Sequence, residues 1–228
     1  MLSYSQINLY NNCGVAYRKK YIEKVIGKPN IYLLRGKAVH NVINNPNDLD
    51  QYEKVWTDDI YPVVTKEADQ IKLKKDLKAF LPVVSQWSKD TLINPLFELE
   101  IKMYINGEEI LGYIDCIDNN IIYEFKTTDR FTPKKGCPLQ GRIYGLLYGN
   151  KFSMLPIIKY VTFINSSSGI NIIIEKFITT KKMLFITTKE IKDVINNIRN
   201  KVFLPAEIDS WMCNSKWCQF YNECRERI

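Results

Sequence analysis

The sequence predicts an α/β domain in which helices pack on the faces of a mixed sheet. Three observations predict it. Between Phe97 and Thr128 apolar and polar residues alternate with the period of a strand, broken only at Asn106-Gly107 and Asn119-Asn120, dipeptides that favour tight hairpin turns. On both sides of this stretch the apolar spacing lengthens to that of a helix. The chain has 228 residues, 46% of them apolar, which is enough for a large core in one domain spanning 1–228.

In chain order, residues 3–24 read as a helix that Ser3 or Ser5 can cap, with apolar positions at Ile7, Leu9, Tyr10, Val15 and Tyr17. Gly27, Pro29 and Asn30 end it. Residues 31–44 form a second helix carrying "RGKAVH". Residues 46–95 are polar and mostly helical, with breaks expected at Pro62, Pro82 and Pro95, and read as a helical insertion. Strands follow at 97–105, at "EEILGYIDCID" and at "IIYEFKT". Pro133 to Pro138 is a basic loop. A short helix over 139–149 leads to strands near 157–165 and 170–178 with a turn at Ser166 to Gly169, then a helix over 180–200 and an irregular tail over 203–228.

Composition narrows the function classes. The net charge is +7, from 32 basic and 25 acidic residues, which permits a polyanionic partner without requiring one. No apolar run approaches the ~18 residues of a membrane span, so no membrane partner is expected. The start of the sequence lacks the basic-then-apolar plan of a secretion signal, so the expected location is cytoplasmic.

The chemistry concentrates in "LGYIDCIDNNIIYEFKTT", Leu111 to Thr128. Strand alternation places Ile114 and Cys116 on one face and Tyr113, Asp115 and Ile117 on the other. On the next strand Ile122, Glu124 and Lys126 share a face, opposite Tyr123 and Phe125. A hairpin can therefore set Asp115 beside Glu124 and Lys126. Two adjacent carboxylates repel unless a cation lies between them, and oxygen donors suit Mg²⁺ or Mn²⁺. An ion pair of Lys126 with one acid on a solvated face satisfies the spacing equally well. His40 is the one histidine of the chain. Gln140 and Tyr144, four apart, share a helix face.

"GKAVH", "GYID", "YEFK" and "QGRIY", in that order over residues 36–144, resemble the PD-(D/E)XK nuclease superfamily in its RecB-like branch. The resemblance implies a restriction-endonuclease-like core and hydrolysis of phosphodiester bonds. It implies that His40, Asp115, Glu124 and the Phe125 main-chain carbonyl hold the divalent ion, with Glu100 as a further ligand or a supporting acid. Lys126 would position or activate the attacking water. Gln140 and Tyr144 would contact the DNA backbone and brace the site. Lys134 and Lys135, in the loop beyond Lys126, are candidate phosphate contacts. The implied substrate is DNA, single-stranded or with free ends, cut by an exonuclease. Repair, recombination, viral replication and CRISPR spacer capture all fit. No G-x4-GK[ST] motif is present, so unwinding would fall to a helicase partner. One rival is a non-catalytic nucleic-acid-binding or assembly subunit that keeps the fold; a second is a zinc-stapled structural protein whose D…ExK is accidental.

Three of the six cysteines, Cys213, Cys218 and Cys224, crowd into the tail, and Cys13 on the first helix is a possible fourth ligand. Such crowding points to metal, either Zn²⁺ or an iron–sulfur cluster. The resemblance extends to AddB-type and CRISPR-adaptation nucleases, which implies a [4Fe–4S] cluster fastening Cys13 to the tail. Two features depart from that pattern: four residues separate Cys213 from Cys218 where two are usual, and Gly14 stands where proline is usual. Cys116, facing away from Asp115, reads as core.

Overall fold

The computed structural model describes residues 1–25, 31–50, 64, 66–207, 209–214, 218 and 220–225. Their elements in order are β1 (Leu2–Ser3), α1 (Tyr4–Asn12), α2 (Gly14–Tyr17), a π-helical turn (Arg18–Ile22), α3 (Ile31–Asn44), α4 (Glu67–Thr91), β2 (Leu96–Ile105), β3 (Glu108–Asp118), β4 (Ile121–Thr128), α5 (Leu139–Phe152), β5 (Ile157–Ser166), β6 (Gly169–Ile178), α6 (Lys181–Arg199) and α7 (Tyr221–Arg225). The sheet is mixed: β2–β3, β3–β4 and β5–β6 pair antiparallel, β4–β5 and β1–β3 parallel.

The turns form as their residues dictate. Asn106 and Gly107 have φ of 51° and 72°, and Asn119 and Asn120 have 49° and 62°. Positive φ at both central positions gives the turn whose twist matches the strands it joins. The expected first helix is instead broken at Cys13, whose backbone is extended at φ −164°, so that its sulfur accepts from Ala16 N–H and starts α2. Pro82 does not break α4, which runs unbroken from Glu67 to Thr91. Pro62 and the Gly27–Asn30 stop lie outside the described residues, as does most of the first half of the expected insertion.

Two apolar layers sandwich the sheet. On one face α3 and α4 supply Val39, Ile43, Leu77, Phe80 and Val84, which meet Cys116, Tyr123, Phe125, Val161 and Phe163. The segment read as an insertion thus carries one of the two helices that cover this face. Burial pushes the Cys116 thiol up to about 12, which keeps it an inert core group. On the other face α1, α5 and α6 supply Ile7, Ile143, Leu147, Ile191 and Ile195, which meet Ile101, Ile110, Ile114, Ile122 and Tyr160.

The sheet forks at Asp115. β4 pairs with β5 along its length, from Ile121 to Thr128. It pairs with β3 only through Ile121–Tyr123 against Cys116–Asp118. Further along, β3 is joined by β1, with Leu2 opposite Ile110 and Ser3 opposite Leu111. The alternation of β3 also switches at the fork. Ile114 packs in one core layer and Cys116 in the other, so they do not share a face as strict alternation predicts. The register of β2 places Phe97 opposite Cys116 and Leu99 opposite Ile114, and Glu98 between them has φ 49°. The kink therefore crosses both strands at the level of Asp115.

A buried ionic cluster locks α3 and α4 to the end of β4. Arg35 is 2% exposed and donates to Asp76 at 3.0 Å, to Asp129 at 2.5 Å and to Thr127 at 3.4 Å. Asn165 donates to the other oxygen of Asp76 at 3.1 Å, and the guanidinium lies over the Phe80 ring. Lys72, partly exposed, closes the cluster on Asp129. Replacing Arg35 with methionine leaves the buried Asp76 carboxylate with only Asn165 and the partly exposed Lys72, and is expected to cost about 2–4 kcal/mol. Replacing Lys72 with alanine is expected to cost under about 1 kcal/mol. Denaturant midpoints of the two variants check this contrast.

Candidate active site

The fork leaves the Phe125 main chain without a β3 partner, and side chains take its place. The Phe125 N–H donates to Asp115 Oδ2 at 3.1 Å. His40, on the layer above, brings Nε2 to 3.4 Å from the Phe125 carbonyl oxygen and 3.8 Å from Asp115 Oδ2, with its ring edge-on to Phe125. Glu124 is 0% exposed, its Oε2 accepting from Lys126 Nζ at 3.2 Å. Its other oxygen, Oε1, is buried with no donor.

Burial drives the electrostatics. It holds the Glu124 carboxyl well above its usual range, and the nearby Asp115 charge raises it further, while Lys126 offsets only part of this. Lys126 shows the converse. Burial disfavours its charge, but Glu124 and Asp115 together hold the ammonium above its ordinary range. Burial and then the Glu124 charge push up the Tyr144 and Tyr160 phenols on the same side. Among the described residues no three His, Cys, Asp or Glu side chains close into a ready metal cage. What exists is a half-open set around Asp115: an imidazole nitrogen, a main-chain carbonyl, and a second carboxyl with one unpartnered oxygen. Those nitrogen and oxygen donors fit Mg²⁺ or Mn²⁺, and an ion there would remove the repulsion that raises Glu124.

The remaining expected residues divide. Gln140 and Tyr144 share the face of α5 turned to the site, with Gln140 Nε2 donating to the Tyr144 hydroxyl at 3.5 Å. Tyr144 packs on Gly112 of β3, where a Cβ would stand 3.1 Å from the ring and 2.5 Å from Leu147. Lys134 is engaged elsewhere: its N–H donates to Glu175 at 2.7 Å, and its ammonium pairs with the same carboxylate and lies over the Tyr160 ring. Lys135 is exposed in the loop. Glu100 points to solvent, held by Lys102 at 2.8 Å and the Tyr113 hydroxyl at 2.7 Å, and is not among the groups gathered at the fork. Glu98, not Glu100, is the acid that meets α3, accepting from Asn44 at 3.4 Å.

Two tyrosines at the site escaped the sequence reading. Tyr160 accepts from Gly141 N–H at 2.8 Å, and its ring lies 6.0 Å from Lys126 Nζ. Tyr4 stands edge-on to Tyr144. A short strand of two residues gives no sequence signal that would have placed Tyr4 there.

The tail lies against the N-terminal helices. Tyr10 donates to the Val202 carbonyl at 2.6 Å, Val15 N–H to the Leu204 carbonyl at 3.3 Å, and Phe203 stacks on Tyr17. Gly14 explains one departure from the expected pattern: a Cβ there would stand 2.9 Å from the backbone of Phe203 and Leu204. None of the six cysteines is joined to another in a disulfide. Burial pushes the Cys218 thiol up, and Cys13, Cys224 and Cys213 are each near enough to raise it further.

A sheet that forks at an acid, with a Glu-x-Lys pair on the departing strand and helices on both faces, has the architecture of an α/β nuclease core. The PD-(D/E)XK nuclease superfamily matches residues 1–225, and the chain belongs to it. The crystal structure of a Eubacterium rectale protein, described as a candidate exonuclease, superposes with a TM-score of 0.68 at 12% identity, covering 97% of this chain and 86% of that one. A second structure, SSO0001, is 18% identical with a TM-score of 0.41, covering 94% of this chain and 96% of that one. No curated protein sequence matches the chain. No described helix is long and apolar enough to cross a membrane.

The raised Glu124 carboxyl sets a pH dependence. Its folded pKa exceeds its unfolded value, so the fold binds the proton more tightly and loses stability as pH rises above about 4.5 toward the folded value. With metal chelated, the thermal midpoint is expected to fall between about pH 5 and pH 8. Glu124→Gln should flatten that slope, and Mn²⁺ should raise the wild-type midpoint more at pH 8 than at pH 5. Scanning calorimetry across that range checks all three.

Proposed function

We propose that the protein is a Mg²⁺- or Mn²⁺-dependent deoxyribonuclease of the RecB-like branch, an exonuclease on single-stranded DNA or free ends, with a [4Fe–4S] cluster fastening its tail. The observation that carries the proposal is the buried Glu124 oxygen without a donor, beside Asp115 and backed by Lys126. A surface ion pair does not need that oxygen buried. The Eubacterium rectale neighbour supports the exonuclease mode through its description, and the shared fold supports the core.

His40 Nε2, Asp115, Glu124 and the Phe125 carbonyl would hold the divalent ion. When bound, it supplies charge neutralisation at the phosphate and acidifies a water. Lys126, held in its charged form by Glu124 and Asp115, orients the attacking water and faces the charge that builds on the phosphoryl oxygens. That raised ammonium favours positioning over proton abstraction. Water adds to phosphorus, the ester P–O bond breaks, and the leaving oxygen takes a proton while the water loses one to solvent. Gln140 fixes the Tyr144 hydroxyl, and Tyr144 and Tyr160 shut bulk water out beneath Glu124. Lys135, exposed in the loop past Lys126, is the freer of the two loop lysines to meet a DNA phosphate.

Cys13, Cys213, Cys218 and Cys224 would hold the cluster. Burial pushes the Cys218 thiol up and Cys13, Cys224 and Cys213 each add to it, which sets three thiols near Cys218, although among the described residues the four do not close into a ready metal cage. Its contribution here would be structural. Joining residue 13 to the tail closes a loop of about 200 residues, worth on the order of 5 kcal/mol in chain entropy.

With labelled single-stranded DNA, the protein is expected to cleave in Mn²⁺ and not in chelator. Asp115→Ala, Glu124→Gln and Lys126→Ala are each expected to lower the rate by about 10³-fold or more. Cleavage indifferent to Asp115→Ala rejects the site, and absence of cleavage favours a binding subunit. Anaerobically purified protein is expected to be brown and to lose its colour in Cys218→Ala; a colourless, zinc-loaded protein replaces the cluster with Zn²⁺.

A further inference from the structure

Tyr4 is the first residue of α1, and its neighbours fix it. Leu2 and Ser3 pair with Ile110 and Leu111 on the edge of β3 that β4 has left. The Ser3 hydroxyl accepts from Gln6 N–H while the Gln6 side chain accepts from Ser3 N–H at 2.7 Å, which closes a capping box around the first turn. The Tyr4 ring meets that of Tyr144 edge-on, with centroids 6.5 Å apart and planes at 71°. Tyr144 is itself seated on Gly112. The chain therefore spends a strand pairing, a cap and an aromatic contact on holding one half-buried phenol.

The ring packs against the apolar layer on this face, but its hydroxyl does not take part in that packing. Its hydroxyl finds no hydrogen-bond partner among the described residues. The groups that reach it electrostatically are Lys126 and Glu124, the two active-site side chains of β4. Burial pushes the hydroxyl up, so it stays protonated, a donor without an acceptor. It sits with Tyr144 on the α5 side of the sheet, whereas His40 arrives with α3 from the opposite layer.

We infer, on the footing of the nuclease chemistry proposed above, that Tyr4 is a substrate-contacting residue whose phenol donates a hydrogen bond to a non-bridging oxygen of the scissile phosphate, from the side opposite His40. Lys126 and Tyr4 then share the negative charge that grows on the phosphoryl oxygens. The phenol keeps its proton throughout, and no bond to its oxygen forms or breaks. Phosphate geometry suits this pairing: one compact cation and one neutral donor can address two oxygens of a tetrahedral group. The N-terminal strand and α1, which otherwise only cover the sheet, become part of the machinery.

Tyr4→Phe tests the inference, because it removes the hydroxyl and leaves the ring against Tyr144. Single-turnover cleavage of labelled single-stranded DNA is measured at saturating enzyme, with the Mn²⁺ concentration giving half the maximal rate and the thermal midpoint. The expected result is a rate about 10- to 100-fold lower, as for loss of a hydrogen bond to a charged group, with half-saturating Mn²⁺ and midpoint unchanged. A rate within twofold of wild type overturns the inference while leaving the nuclease proposal intact. A rate loss that tracks a fallen midpoint overturns it too, by making Tyr4 structural. Wild-type protein that does not cleave at all removes the nuclease proposal and this inference with it.

Discussion

The structure depends on one backbone event, the parting of β4 from β3 at Asp115. A strand that leaves its neighbour inside a protein exposes N–H and C=O groups that must find other partners. Here Asp115 takes the Phe125 N–H and His40 meets the Phe125 carbonyl. The same parting frees an edge of β3 that β1 fills, and so brings the N-terminal segment to the site. The groups that would hold an ion are thus the groups that repair the sheet.

A second theme is like charge held together. Glu124 is wholly buried beside Asp115, and one lysine does not compensate it. At the tail, burial raises the Cys218 thiol, and three other cysteines add to it. The carboxylate pair costs stability in the bare chain, and a cation there would relieve it. The surrounding tyrosines strengthen the effect at the fork, because they exclude water from the carboxyl they cover. The Arg35 cluster does the opposite work. Its charges are paired, and it clamps the helix that carries His40 to the strand that carries Glu124 and Lys126.

Most of the fold was legible because local rules decided it. Asn-Gly and Asn-Asn set both hairpins, period-two alternation set the strands, and period 3.6 set α3, α5 and α6. The gathering of His40, Asp115 and Glu124 followed from motif order. What failed was non-local. Strict alternation put Ile114 and Cys116 on one face, and the kink that separates them comes from the partner strand at Glu98. Pro82 looked like a break, yet α4 absorbs it because its core contacts with the sheet outweigh one lost hydrogen bond. Lys134 looked free for phosphate until β6 supplied Glu175. Tyr4 was invisible because only a two-residue pairing places it.

The most direct measurement is an anomalous-difference map from crystals soaked in Mn²⁺. A single strong peak is expected between His40 Nε2, Asp115, Glu124 Oε1 and the Phe125 carbonyl, at the roughly 2.0–2.3 Å ligand distances of a hard divalent ion, absent in Glu124→Gln. Saturating Mn²⁺ that leaves the fork without a peak, or that binds only at surface carboxylates such as Glu100, contradicts the account.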